Sequence, residues 1–255
     1  MNLVERDYDM FAFLGEVGIA RTHHLADMFF PSRTTAADRL RKLFCGGFIR
    51  CFARSLHEDN AYALARPGRD ALDAVGRGTT SSEVVQKLPK QLEHRSMIVD
   101  MRVLFARACL GDARVALGEF VMDREFARLG LPKPVPDAKV ALVRRATGAS
   151  LDFLIECDRA TESATWLVRE KLARYAEAER LGLTVCGIRS PLVLIVTPSV
   201  RRAQSIADRM RTRMVSGSFA FAVATHLAPA NVLGKSYAMP SDLLQGGAFD
   251  HALLM

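Results

Sequence analysis

The sequence predicts a mixed α/β (α+β) protein, in which a helical module with a β-hairpin precedes a larger domain of strands and helices. Three helical patterns and then two short strand patterns occupy residues 1–76. Beyond residue 88, apolar strand patterns alternate with helical ones, which is typical of a sheet covered on both faces. Gly, Ser and Thr dominate residues 76–82 between them. We therefore predict a first domain at 1–76, a linker at 77–87, a second domain at 88–227 and a tail at 228–255.

Each helix of the first domain has a recognisable start or stop. The first is predicted over Glu5–Val17, and a second, shorter helix begins at Thr22. The third begins at Ser32 or Thr34, either of which is a good N-cap, and two glycines stop it at residues 46–47. Its predicted buried stripe consists of Ala37, Leu40, Leu43 and Phe44.

A hairpin follows the three helices. Strand patterns at residues 48–54 and 61–64 flank a polar turn. Three helices and then a hairpin is the element order of a winged helix-turn-helix, in which the third helix enters the major groove and the hairpin touches the backbone.

Positive charge is concentrated in this region. The net charge of the chain is +7, and between residues 32 and 54 six basic residues stand against the single acid Asp38. We expect double-stranded DNA as the partner, because phosphates neutralised by Lys and Arg release counterions. The expected DNA-contacting residues are Arg33, Thr34, Thr35, Arg39, Arg41, Lys42, Arg50 and Arg54. The alternative is a small bundle whose basic face is solvated or serves protein contacts, dimerisation included.

The second domain is predicted from its apolar patterns. A long helix at 88–110 leads to strands at 116–122, 135–143 and 151–157. A helix at 162–181, a strand at 192–196, a helix at 200–214 and a strand at 219–225 follow. The tail contains no clear element.

Carboxylates mark the ends of these strands. Side chains alternate along a strand, so Glu156 and Asp158 are expected on one face, with Asp137 reaching them from the neighbouring strand. Three carboxylates and a water suit Mg²⁺ or Mn²⁺, which can activate water. A fourth acid is Glu93, Asp100 or Glu119, and Glu119 is favoured because it lies nearest the strands.

The order of these motifs resembles two related groups of proteins. Helix, three strands, helix and strand, with Pro136-Asp137 and Glu156-Cys157-Asp158 at these places, resemble the PD-(D/E)xK nuclease core. The stretch from about residue 5 to 180 resembles the plasmid replication-relaxation family. The matching segments are Arg6-Asp7, Leu40-Arg41-Lys42-Leu43, Leu92-Glu93-His94, Pro136-Asp137-Ala138, the run from Glu156 to Thr161, and the run from Lys171 to Tyr175.

The resemblance implies a catalytic set of Asp137, Glu156, Asp158 and Lys171, with one departure. The nuclease motif has a lysine two residues after the glutamate, where this chain has Asp158. Lys171 is the expected substitute, and it projects from a helix face that should pack on the sheet, so it needs Asp158 or Glu156 as a partner. The alternative is a structural ion pair in an inactive nuclease-like fold.

Three functions remain open from the sequence. The first is DNA binding in the replication, relaxation, transfer or transcriptional control of a plasmid or mobile element. The second is a metal-dependent DNA nickase or endonuclease. The third is an assembly module that forms a homodimer or recruits a replication or transfer protein. The first residues lack the pattern of a signal peptide, and no apolar run is long enough to cross a bilayer, so we expect a cytoplasmic protein without a membrane partner. His23-His24 is interpreted as surface or core packing rather than a ligand pair.

Overall fold

A computed structural model of the chain describes residues 2–53, 58–78, 85–246 and 249–252. The predicted helices and strands occur in their predicted sequence, with additional short elements among them, around a central mixed sheet, which confirms the α/β class. The chain divides into two compact units, Met1–Val103 and Leu104–Met255, and the division falls within one long helix. The predicted linker at 77–87 precedes that helix in the sequence, and its residues 79–84 lie outside the described part of the chain.

The first unit contains the predicted helices and hairpin. Its elements are α1 (Glu5–Val17), β1 (Ala20–Arg21), α2 (Thr22–Phe29), α3 (Arg33–Cys45), β2 (Ile49–Phe52), β3 (Ala61–Leu64), α4 (Arg66–Ala74) and the first part of α5 (Leu92–Gly111). The strands form an antiparallel sheet in the order β1-β3-β2. Ser32 is the N-cap of α3, because its hydroxyl accepts a hydrogen bond from the Thr35 N–H at 3.2 Å.

The buried stripe of α3 differs from the predicted one. Ala36, Leu40 and Leu43 are buried, while Ala37 is exposed and Phe44 is 49% exposed. All four neighbours are three or four positions from Leu40, but Ala36 and Leu43 lie on one side of it around the helix and Ala37 and Phe44 on the other. Ala37 and Phe44 lie at the edge of this face, and the prediction that they are buried is wrong.

The second unit is built on a five-stranded sheet. Its strands are β4 (Val115–Met122), β5 (Ala138–Arg144), β6 (Ser150–Cys157), β9 (Leu192–Thr197) and β10 (Phe219–Val223), in the order β10-β9-β6-β5-β4. The pairs among β4, β5 and β6 are antiparallel, and those among β6, β9 and β10 are parallel. Short elements α6 (Asp123–Arg128), β7 (Thr184–Val185) and β8 (Ile188–Arg189) lie between them.

Both faces of this sheet are covered. On one face Leu154 belongs to an apolar cluster with Val168 and Ile206 from the helices after β6 and β9. On the other face Phe153 packs against Phe105 of α5, with ring centroids 5.5 Å apart. The side chains of residues 153 and 154 point to opposite faces because strands alternate.

The helix predicted at 162–181 is interrupted. It consists of α7 (Ala164–Leu167), a π-helical turn (Val168–Leu172) and α8 (Ala173–Arg180), and Ser163 caps its start. The widened turn keeps Val168 and Leu172 buried, and it contains Lys171. Helical periodicity does not predict such a turn, and π-helical turns are frequent at functional sites.

The described part of the tail, residues 228–246 and 249–252, contains regular elements where the sequence predicts none. After α9 (Val200–Thr212) and β10, the chain forms β11 (Lys235–Tyr237), α10 (Pro240–Leu244) and β12 (His251–Ala252). Tyr237 is buried, and its hydroxyl donates a hydrogen bond to the carbonyl of Val232 at 2.5 Å. Among the described helices, none combines the length and the apolar content that a membrane crossing would need.

Candidate functional sites

Adjacent strands bring two of the predicted carboxylates together. Glu156 lies near the end of β6, and Asp137 lies directly before β5 rather than within a strand as predicted. Ala138 pairs with Ile155, and the Asp137 N–H donates to the Ile155 carbonyl at 3.0 Å. Both side chains are almost fully buried.

Every oxygen of these two carboxylates has a hydrogen-bond donor. Asp137 Oδ2 accepts from the Cys157 N–H at 2.7 Å, and Glu156 Oε1 accepts from the Tyr175 hydroxyl at 2.6 Å. The Lys171 Nζ lies 2.5 Å from Glu156 Oε2 and 3.5 Å from Asp137 Oδ1. We call Asp137, Glu156, Lys171 and Tyr175 the acid–lysine cluster.

Burial and charge set the ionisation of this cluster. Burial raises the pKa of Glu156 to about 7, and the neighbouring Asp137 carboxylate adds to the effect, while Lys171 opposes it. Burial disfavours a charged Lys171, but Glu156 and Asp137 outweigh it and raise the pKa of the ammonium. Lys171 is therefore positively charged at neutral pH, and Glu156 changes its charge near that pH.

Asp158 does not join the other two predicted acids. It follows the last paired residue of β6, and its carboxylate accepts hydrogen bonds from Arg202 of α9 at 2.7 and 3.0 Å. Glu119 is half exposed and pairs with Lys139 at 3.0 Å. Side-chain alternation predicts Asp158 on the same face as Glu156, but alternation applies only within a strand, and β6 ends at Cys157.

The acid–lysine cluster does not fit a divalent metal as it is arranged. The Lys171 ammonium already lies between Glu156 Oε2 and Asp137 Oδ1, and the other oxygen of each carboxylate accepts a hydrogen bond from the protein. In the part of the chain that the structure describes, these acids with Asp158 and Glu119 do not form a set of three ligands. The ammonium supplies the positive charge that balances the buried carboxylates.

The predicted basic surface of the first unit is present on α3 and β2. Arg33, Thr34, Thr35, Arg41 and Lys42 are exposed on α3, and Arg50 is exposed on β2. Arg54 lies outside the described residues. We call Arg33, Thr34, Thr35, Arg41, Lys42 and Arg50 the basic face.

Arg39 is separate from this face. Its Nε donates to Asp7 Oδ1 at 2.9 Å, and its Nη2 donates to Asp7 Oδ2 and to the Asn2 carbonyl. Asp7 is fully buried, and its Oδ2 also accepts from the Val4 N–H at the start of α1. Arg39 therefore neutralises a buried acid inside the unit.

The structure also shows a histidine cluster that sequence reasoning missed. His23 Nδ1 lies 2.7 Å from Asp59 Oδ2, and His23 Nε2 and His24 Nε2 lie 3.1 and 2.7 Å from Asp100 Oδ1. Hydrogen bonds to Asp100 and Asp59 outweigh the opposing effect of burial and raise the pKa of His23. Burial lowers the pKa of His24, which is almost completely enclosed.

The hydrogen bonding of the histidine cluster favours protons over a metal. Three ligand-type atoms lie within 4.8 Å of one another. However, the Arg21 N–H donates to His24 Nδ1 at 3.0 Å, so the ring proton is on Nε2, which donates to Asp100. A metal on Nε2 would need that proton on Nδ1, facing the Arg21 N–H. Glu93, another predicted acid, is paired with Arg21.

Comparison with known proteins places the chain beside one described family. The model of a family described as replication-relaxation matches residues 11–184. That range covers the basic face, the histidine cluster and the acid–lysine cluster. Neither the curated proteins nor the solved structures yield a match.

Proposed function

The chain belongs to the replication-relaxation family, and on that premise we propose that it binds double-stranded DNA in the replication or relaxation of a plasmid or other mobile element. The first unit supplies the DNA contacts under this proposal, as a winged helix-turn-helix with α3 in the major groove and the β2–β3 hairpin on the backbone.

The observation that carries the proposal is the exposure of the basic face. Arg41 and Lys42 project from α3 into solvent, while the same helix buries Leu40 and Leu43. Arg33 and the hydroxyls of Thr34 and Thr35 lie at its N-terminus, where side chains reach bases and phosphates. The helix thus has one face for the core and another with the chemistry of a DNA contact.

Binding of a duplex to an Arg41→Ala/Lys42→Ala variant tests the proposal. We expect the loss of two phosphate or base contacts to weaken binding at least tenfold, as about 1–3 kcal/mol per base contact implies. The matched control is Arg128→Ala/Arg180→Ala, which removes two exposed charges from the second unit. Equal affinity of the two variants would refute the assignment of α3.

A metal-dependent nickase is the second candidate, favoured by the proximity of Asp137 to Glu156 and Lys171. Its support is weaker, because Lys171 holds the oxygens that a metal would bind and Asp158 is paired with Arg202. Incubation of supercoiled plasmid with Mg²⁺ or Mn²⁺ tests it, with Asp137→Asn beside the wild type. Nicking by the wild type alone would establish the nickase in addition to duplex binding, and duplex binding without nicking would refute the nickase.

The assembly function predicts a different result in the same experiments. A module that only forms a dimer or recruits another protein would show no salt-sensitive affinity for duplex DNA. Dimer formation by the wild type without DNA binding would therefore favour that function over ours.

A further inference from the structure

A cavity of about 200 Å³ opens beside the acid–lysine cluster. Its lining comes from the segment before β5 and from the interrupted helix after β6. The lining residues are Lys133, Pro134, Val135, Trp166, Glu170, Lys171 and Arg174. It is smaller than a typical small-molecule pocket, so it suits one flat group rather than a whole cofactor.

The cavity combines an aromatic surface with positive charge. Trp166 is the only tryptophan of the chain and is 38% exposed, although large aromatic side chains are usually well buried. Lys133 and Arg174 are exposed or half-exposed at the same cavity. Glu170 is the one acid of the lining, and Arg169 and Arg174 neutralise it at 2.6 and 3.2 Å.

This combination is that of a site for unpaired nucleotides. A base stacks on an exposed aromatic ring, and nearby Lys and Arg side chains hold the adjoining phosphates. The faces of bases are covered in a duplex, so such stacking requires a single strand. We propose that this cavity binds single-stranded DNA, with a base against Trp166 and phosphates at Lys133 and Arg174.

The proposal rests on the proposed function, since it takes DNA as the ligand, but it concerns another unit and another form of DNA. The basic face would hold the duplex, and Trp166 would hold a strand that replication or relaxation has opened. The two sites therefore predict separable losses of binding.

The intrinsic fluorescence of Trp166 gives a direct test in the full-length protein, because no other tryptophan contributes. We expect oligothymidylate of about ten nucleotides to quench it and to bind with steep salt dependence. Arg174→Ala should weaken this binding more than Arg180→Ala, a control on the same helical segment that lies outside the cavity. Glu170→Gln should tighten binding, because it removes the one acid of the lining.

Substitution of Trp166 itself is measured by anisotropy of a labelled oligonucleotide. We expect Trp166→Ala to weaken binding about tenfold or more, and Trp166→Phe, which keeps an aromatic ring, to weaken it less. Quenching by thymidine monophosphate as strong as by the oligonucleotide would contradict a strand site. The proposal would be overturned if Trp166→Ala and Arg174→Ala bound the labelled oligonucleotide as tightly as Arg180→Ala does.

Duplex binding by the same proteins separates the two proposals. Arg41→Ala/Lys42→Ala should lose the duplex and keep the single strand, and Trp166→Ala should do the reverse. If Trp166→Ala binds both ligands as well as the wild type does, the strand site is refuted and the duplex site is not. Full duplex binding by Arg41→Ala/Lys42→Ala refutes the duplex site alone.

Discussion

Lys171 Nζ lies 2.5 Å from Glu156 Oε2 and joins the π-helical turn to the end of β6. Glu156 is 2% exposed, so neither solvent nor another cation replaces this contact easily. Removing one partner of a buried ion pair leaves an uncompensated charge, which destabilises more than the pair itself stabilises.

Lys171→Met should therefore destabilise the protein at pH 8 by about 3 kcal/mol, the lower part of the range for a broken buried pair. The loss should be smaller at pH 6, because Glu156 then takes up a proton. Urea unfolding at the two pH values measures both effects. Arg180→Ala breaks an exposed pair with Glu177 and should change stability little. An equal loss at pH 6 and pH 8 would contradict this account.

Glu156 also gives the wild type a pH dependence. Its pKa in the folded state is about 7, above its ordinary value of 4.5, so the folded protein holds this proton over a wider range than the unfolded chain. The resulting stabilisation is complete below about pH 4.5 and is lost as the pH rises through 7. Relative to Glu156→Gln, the wild type should lose about 3 kcal/mol of stability across this window. Parallel stability curves for the two proteins would show that Glu156 does not titrate there.

The histidine cluster predicts opposite behaviour of two neighbouring rings. The raised pKa of His23 stabilises the fold fully below pH 6.5, and this contribution is lost as the pH rises through the folded value. The lowered pKa of His24 has the opposite effect on stability. Its buried ring stays neutral while the unfolded chain takes up a proton, so the fold loses stability as the pH falls below 6.5. NMR titration of both rings measures the two pKa values.

His23→Gln removes the charge that His23 carries between Asp59 and Asp100. The free energy of unfolding of the wild type should exceed that of the variant by about 1 kcal/mol at pH 6. This difference should shrink toward pH 9. His251→Gln, which removes an exposed histidine paired with Asp242, is the control. A difference that grows with pH would rule out a charged His23 between Asp59 and Asp100.

Local sequence patterns were sufficient for much of this structure. The bounds of α1 and β3 agree with the prediction, because spacing and turn residues act over a few positions. The approach of Asp137 to Glu156 followed from their places on strands predicted to be neighbours. Lys171 was expected to need Asp158 or Glu156, and the structure pairs it with Glu156.

Long-range partners explain what the sequence did not reveal. Arg202, which holds Asp158, is 44 residues away, and Asp100 is 76 residues from His24. Such pairs depend on how elements pack, which periodicity within one element does not encode. Charge alone predicts Arg39 on the DNA surface, whereas the structure pairs it with Asp7, which is buried in another helix.

Arg39 and Arg41 should consequently give contrasting variants. Arg39→Ala leaves Asp7 buried without its cation and should destabilise the protein by about 3 kcal/mol. Arg39→Lys should not restore this stability, because Arg39 donates from two nitrogens to the two oxygens of Asp7. Arg41→Ala removes an exposed side chain and should change stability by less than about 0.5 kcal/mol. Chemical denaturation of the three variants decides between a structural and a surface role.

The salt dependence of duplex binding tests how Arg41 and Lys42 act on DNA. Each neutralised phosphate contributes about 0.9 to the slope of log affinity against log salt concentration. If both residues contact phosphates, Arg41→Ala/Lys42→Ala should reduce this slope by about 2 and weaken binding equally for all sequences. If Arg41 instead contacts a guanine, the variant should also lose discrimination among sequences. An unchanged slope with unchanged discrimination would place the DNA on another surface. The control Arg128→Ala/Arg180→Ala measures how much the loss of two positive charges changes the slope by itself.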